Sequence, residues 1–165
     1  MTVFSLLIRA LAWIAALLFT AAGGMLTYEV VARYFFIAPT IWAAELSQMA
    51  LIWGTLIAMP WALAARRHIA VDALVQRLPF GLRRLAEMIA MAAVAAFAAV
   101  TGVYGFRIFW DSFERGRTTG SMLDLPLWLT ELALPVGFAL LFVQALIELN
   151  RARHGDLPRP QEGGE

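Results

Sequence analysis

Charged residues fall along this chain in clusters, and long apolar runs separate them. Ala10 to Tyr28 carries no charge. Its length is close to the ~20 residues that a helix needs to cross a hydrocarbon core of ~30 Å. Trp42 to Ala65 is a second and longer run, whose only charge is Glu45 near its start. Met88 to Phe106 is a third, uncharged and rich in alanine. The fourth runs from Pro126 to about Ile147 and holds Glu131 and Pro135. The pattern predicts an all-α integral membrane four-helix bundle, a single domain over residues 1–150, with helices at about 10–33, 42–65, 85–107 and 126–149.

A cleavable signal sequence competes for the first run. Arg9 would head it, and Thr20-Ala21-Ala22-Gly23 would supply small residues for cleavage. The apolar run continues past that point to Tyr28, which favours a span. Pro39 ends the first helix, so the connection to the second is short and the two are antiparallel neighbours. Trp42 opens the second span at a depth that suits an indole. Pro60 is expected to kink its far end.

Between the second and third spans the pattern changes. Val71, Leu74, Val75 and Leu78 follow i, i+3, i+4, i+7 spacing. This predicts a short amphipathic helix over about 69–78, lying in the membrane interface and stopped by Pro79-Phe80-Gly81. In the third span Ala92, Ala96 and Val100, with Ala95 and Ala99, make a smooth face for the bundle interior or a partner. Residues 107–126 read as a polar connection. Residues 151–165 read as a disordered tail.

Composition sharpens the class. The chain is 61% hydrophobic and 15% charged, where soluble domains are about a quarter charged. With no cysteine, disulfides and thiolate ligands drop out. The net charge of +1 offers no footprint for nucleic acid. All 13 basic residues are arginine, and they are unevenly placed. Arg9, Arg66, Arg67, Arg77, Arg83, Arg84, Arg151, Arg153 and Arg159 fall on one side of a four-span protein. Arg33, Arg107, Arg115 and Arg117 fall on the other. The positive-inside rule then puts both termini, and the tail, in the cytoplasm.

Little in the sequence suggests chemistry. His68 and His154 are the only histidines and lie outside the spans, so neither haem ligation nor a zinc site has its ligands. No phosphate-binding glycine loop or triad is present. The reading is therefore of a non-enzyme without cofactors. The span centres lack Asp, Glu, Arg and His, which argues against a substrate pathway within this chain.

The polar residues sit near span ends. Glu29 and Arg33 share one helical face. Glu45 is a candidate to pair with Arg33 across the short turn, to stand solvated at a helix end, or to meet a partner. Arg66 and Arg67 read as anchors on anionic lipid. His68 and Asp72, four apart, read as a local hydrogen bond or a partner contact. Glu131 faces the outer headgroups, another helix or a subunit interface. Glu45 is expected to matter more than Glu131 for assembly or transport.

The order of these elements resembles one family. The run Val-Val-Ala-Arg33-Tyr34-Phe35, then Trp42-x-x-Glu45-Leu46, Arg66-Arg67-His68-Ile69-x-Val71-Asp72-x-Leu74, Leu78-Pro79, Gly120-Ser121, Leu125-Pro126 and Leu134-Pro135-x-Gly137 is similar to the small membrane subunit of tripartite ATP-independent periplasmic (TRAP) transporters. Glu29 departs from that pattern and gives Arg33 a second candidate partner. The resemblance implies an accessory scaffold for a large polytopic membrane transport subunit, which imports small organic anions by a sodium-coupled, elevator-like motion. It also implies a periplasmic substrate-binding protein that docks on the outer face, where loops 34–42 and 111–125 would contribute. Two other classes remain open: a membrane-anchor subunit of a redox enzyme, and a self-sufficient small oligomeric transporter.

Overall fold

The computed structural model describes residues 3–65, 80–121 and 123–154. Helix α1 spans Val3–Phe35, α2 Ala43–Ala64, α3 Phe80–Glu114, the short α4 Leu127–Glu131 and α5 Ala133–Arg153. The described helices include four long and apolar enough to cross a membrane, with α4 and α5 together forming the fourth. The chain is a four-helix bundle whose contacts run in one line, α1 to α2, α2 to α5, and α5 to α3. The central helices are accordingly the more covered. About 39% of the most apolar stretch of α2 and of the fourth span is buried, against 11% for α1.

Small residues set the helix spacing. On α1 the buried positions Ile8, Ala15, Ala22 and Glu29 recur every seven residues. The half-buried Leu11, Leu18 and Met25 lie between them. Such a heptad repeat is the signature of left-handed supercoiled packing. On α2 the buried Ala43, Ser47, Ala50, Gly54 and Ile57 follow the same alternation of four and three. A Cβ on Gly54 would lie 3.4 Å from the Phe19 ring and 3.5 Å from the Ala15 carbonyl. In lipid, such close backbone approach replaces the hydrophobic effect as the source of helix association.

The second seam is tighter. Leu56 and Leu63 of α2, Ala95 and Ala98 of α3, and Ala133, Phe138, Leu141 and Ala145 of α5 form one core. A Cβ on Gly137 would lie 2.7 Å from Leu56 Cβ and 3.0 Å from the Leu56 carbonyl oxygen. A Cβ on Gly105 would lie 2.9 Å from Leu134 Cβ. Both contacts require glycine.

Several boundaries differ from the sequence expectation. α1 starts at Val3, ahead of the start expected near Ala10. α3 continues to Glu114, although the first charge, Arg107, suggests a loop from there. Pairs four apart carry it on. Asp111 bonds Arg115 at 2.6 Å, Trp110 Nε1 donates to Glu114 at 2.8 Å, and the Phe106 and Trp110 rings stack at 6.0 Å. The smooth face of α3 is also displaced. Ala95 and Ala98 are buried, whereas Ala92, Ala96, Ala99 and Val100 are exposed, because α5 alone among the long helices makes extensive contact with α3. The fourth span is broken at Leu132, where Pro135 has no N–H for the Glu131 carbonyl. Arg66, Arg67, His68, Asp72, the interfacial helix over 69–78 and the tail from 155 lie outside the described residues.

At the end away from the short turn, Glu148 is fully buried. It accepts from Gln144 Nε2 at 2.8 Å and pairs with Arg151 at 2.9 Å. A carboxylate buried in this way needs such partners.

Candidate functional site

The turn between α1 and α2 and the connection between α3 and α4 lie at the same end of the bundle, and both are held by named polar contacts. Glu29 organises the first. It is only 6% exposed. Its Oε1 accepts from Arg33 Nη2 at 2.6 Å and from Nε at 3.2 Å. Its Oε2 accepts from the Thr40 backbone N–H at 2.9 Å and from the Thr40 hydroxyl. Four donors therefore fill the lone-pair positions of one carboxylate. The Ala32 carbonyl accepts from both the Phe36 and Ala38 N–H groups, at 3.2 and 3.1 Å. Ile37 between them has a positive φ, a left-handed conformation rare for a β-branched residue. Tyr28 stacks on Trp42 with ring centroids 5.9 Å apart, joining the last turns of α1 to the start of α2.

The second connection is a narrow loop. Thr118 and Pro126 form an isolated antiparallel bridge, closed by Thr119 N–H to the Leu125 carbonyl at 2.9 Å and Leu127 N–H to the Arg117 carbonyl at 3.0 Å. In this pairing the bonds belong to the flanking residues, so proline, which lacks an N–H, fits at 126. Gly116 and Gly120 both have positive φ and supply the reversals, a conformation open to glycine at no steric cost. Asp111 holds Arg115 at 2.6 Å and Arg117 at 2.8 Å. Phe113 meets Trp128 edge-on at 5.8 Å, fixing the end of α3 to α4. Trp53 Nε1 donates to the Leu129 carbonyl at 3.0 Å, tying α4 to the middle of α2.

The second connection reaches the start of α2 at Glu45. Thr119 Oγ1 donates to Glu45 Oε2 at 3.4 Å. Glu45, Gln48, Thr119, Ser121, Thr130 and Glu131 line a cavity of about 360 Å³. Oε2 of Glu131 is buried without a hydrogen-bond partner among the described residues. This end of the bundle thus presents an acidic, hydroxyl-lined recess between the start of α2, the second connection and α4. It suits contact with a polar or basic surface, and no metal-binding cluster occurs among the described residues.

Of the candidates read from the sequence, Arg33 pairs with Glu29 and not with Glu45. Glu45 and Glu131 share one recess, which their positions on different spans do not indicate. Trp42 immediately precedes α2 and stacks on Tyr28. Thr40, Thr119 and Asp111 are structural contributors that sequence reasoning missed. Of these only Asp111 left a signal, an arginine four residues on.

Residues 22–154 match the family model described as "Tripartite ATP-independent periplasmic transporters, DctQ component". The chain is 27% identical over 124 residues to the C4-dicarboxylate TRAP transporter small permease protein DctQ of Rhodobacter capsulatus, covering 74% of this chain and 54% of that one. It is 28% identical over 146 residues to the corresponding protein of Vibrio cholerae, covering 74% of this chain and 62% of that one. It also matches, at 26% identity, the isethionate TRAP transporter permease protein DctMQ of Oleidesulfovibrio alaskensis, covering 76% of this chain and 20% of that longer one. The chain thus spans somewhat over half the length of the small permease relatives. These relatives are transporter subunits, not enzymes. With four apolar helices and a family match over most of its length, the chain is a multi-pass protein of the bacterial inner membrane and belongs to the DctQ component family of tripartite ATP-independent periplasmic transporters.

Proposed function

We propose that this chain is the accessory scaffold subunit of a cation-coupled, binding-protein-dependent importer of small organic anions. In that role it anchors a large transport subunit in the membrane and helps form the outer docking face. The carrying observation is the emptiness of the span centres. Residues 10–28, 46–65, 88–106 and 132–147 contain no Asp, Glu, Arg or His. A route for an anion and its coupling cation needs ionisable or convergent polar groups at depth. That route therefore belongs to another chain. The 20% coverage of DctMQ is in keeping with a longer permease that carries a region like this one within a single polypeptide.

The arginine distribution supports cytoplasmic termini. The Glu29–Thr40 turn and the 115–126 loop then face the periplasm, where a substrate-binding protein would approach the Glu45–Glu131 recess. Membrane lipid meets the exposed flanks of α1 and α3.

The test is a pull-down of the tagged full chain from mild detergent, with mass spectrometry of what accompanies it. A large polytopic membrane protein in near-equal amount is expected. Recovery of the chain alone as a homo-oligomer, or substrate binding by the isolated chain, would overturn the reading.

A further inference from the structure

We infer that the cleft between the Arg9 end of α1 and the far end of α2 is a binding site for one glycerophospholipid with an anionic headgroup, drawn from the leaflet on that side. The cleft has a volume of about 730 Å³ and is lined by Arg9, Ala12, Trp13, Ala16, Phe19 and Trp61, among others. Its walls are apolar except at one point. Arg9 is exposed at the mouth, forms no ion pair among the described residues, and is the only charged residue between Val3 and Tyr28. Arg9 is the one charged residue among the described residues that line the cleft, and a cation above an apolar trough matches a phosphate-bearing headgroup above an acyl chain.

The dimensions fit the same occupant. α1 rises ~1.5 Å per residue, so Arg9 to Phe19 covers ~15 Å, half of a ~30 Å hydrocarbon core. The trough therefore extends from headgroup depth to the bilayer midplane and stops there. It stops because the Phe19 ring lies over Gly54, at the centre of α2. Trp13, 71% exposed, and Trp61 place indoles near the mouth, where amphipathic rings favour the interface. A partner helix would need a seam across the whole membrane. One acyl chain needs only a single leaflet.

Native mass spectrometry tests this. The full chain, with any subunit that co-purifies, is equilibrated in mild detergent with a nine-to-one mixture of phosphatidylcholine and phosphatidylglycerol. Retention of one lipid is expected, with phosphatidylglycerol enriched about fivefold over its share of the mixture, the effect of one arginine at an anionic surface. Arg9→Gln should lose the preference and Arg9→Lys should keep it. Ala16→Phe should fill the trough and abolish retention of either lipid. Arg107→Gln, at the opposite end of the bundle, should change nothing. An unchanged preference in Arg9→Gln overturns the proposal. So does efficient cross-linking of Ala16→Cys to another protein chain in native membranes, which would put a partner helix in the cleft.

Discussion

Gly137 on α5 lies directly against the carbonyl of Leu56 on α2. The Leu56 oxygen is 3.0 Å from where a Cβ on Gly137 would sit. Pro60, one turn beyond Leu56, has no N–H to offer that carbonyl. The proline releases a backbone acceptor and the glycine brings a Cα–H close to it, a weak but recurrent contact at helix interfaces. Gly137→Ala should force α2 and α5 apart and cost about 1–3 kcal/mol, as overpacking does. Thermal melting in detergent would read it. Gly23→Ala and Gly24→Ala, which meet nothing within 4 Å in this chain, should leave the melt unchanged or raise it, because alanine favours the helix interior over glycine.

Glu29→Gln should be more damaging than Glu45→Gln. Glu29 is buried and takes four donors, while Glu45 takes one at 3.4 Å. Losing the charge on Glu29 weakens its bonds to Arg33 and Thr40. The Arg33 side chain is largely exposed, which keeps the ion-pair share small. Hydrogen exchange at residues 36–42 should rise in Glu29→Gln and stay near wild type in Glu45→Gln.

Trp53→Phe keeps an aromatic ring but removes the donor to the Leu129 carbonyl. The cost should be about 1 kcal/mol, concentrated in α4. Faster exchange of the amides in 127–131, with α5 unaffected, is the expected pattern.

Ser112→Ala should be neutral or stabilising. Ser112 is fully buried, and its hydroxyl has no partner among the described residues. Removing an unsatisfied hydroxyl relieves part of a burial cost of about 1–3 kcal/mol. A melting temperature lowered by several degrees would show that the hydroxyl has a partner after all.

The spans were legible because a charge in the bilayer is expensive, so uncharged runs such as 88–106 mark helices directly. Their true ends were not. Arg107, Asp111 and Glu114 continue α3 through pairs four apart, and a hydropathy reading stops at the first charge. The Arg33–Glu29 pair was visible as a spacing. Which of two acids held the arginine was not, because the decision rests on Thr40, far along the chain from Glu29 and presented by a turn around a left-handed Ile37. The recess shared by Glu45 and Glu131 depends on the break at Leu132 and on the narrow loop at 116–126. Neither leaves a periodic trace.

The line of contacts α1–α2–α5–α3 has a consequence for how the molecule is put together. It divides into two modules, an α1–α2 hairpin closed by Glu29 and a unit of α3, α4 and α5 closed by Asp111 and the Thr118–Pro126 bridge. Each module carries its own fastener, and the Gly137–Leu56 seam, with Trp53 and Leu129 beside it, is the main joint between them. A chain severed between residues 66 and 79 should therefore reassemble from two separately inserted halves, with the seam as the coupling.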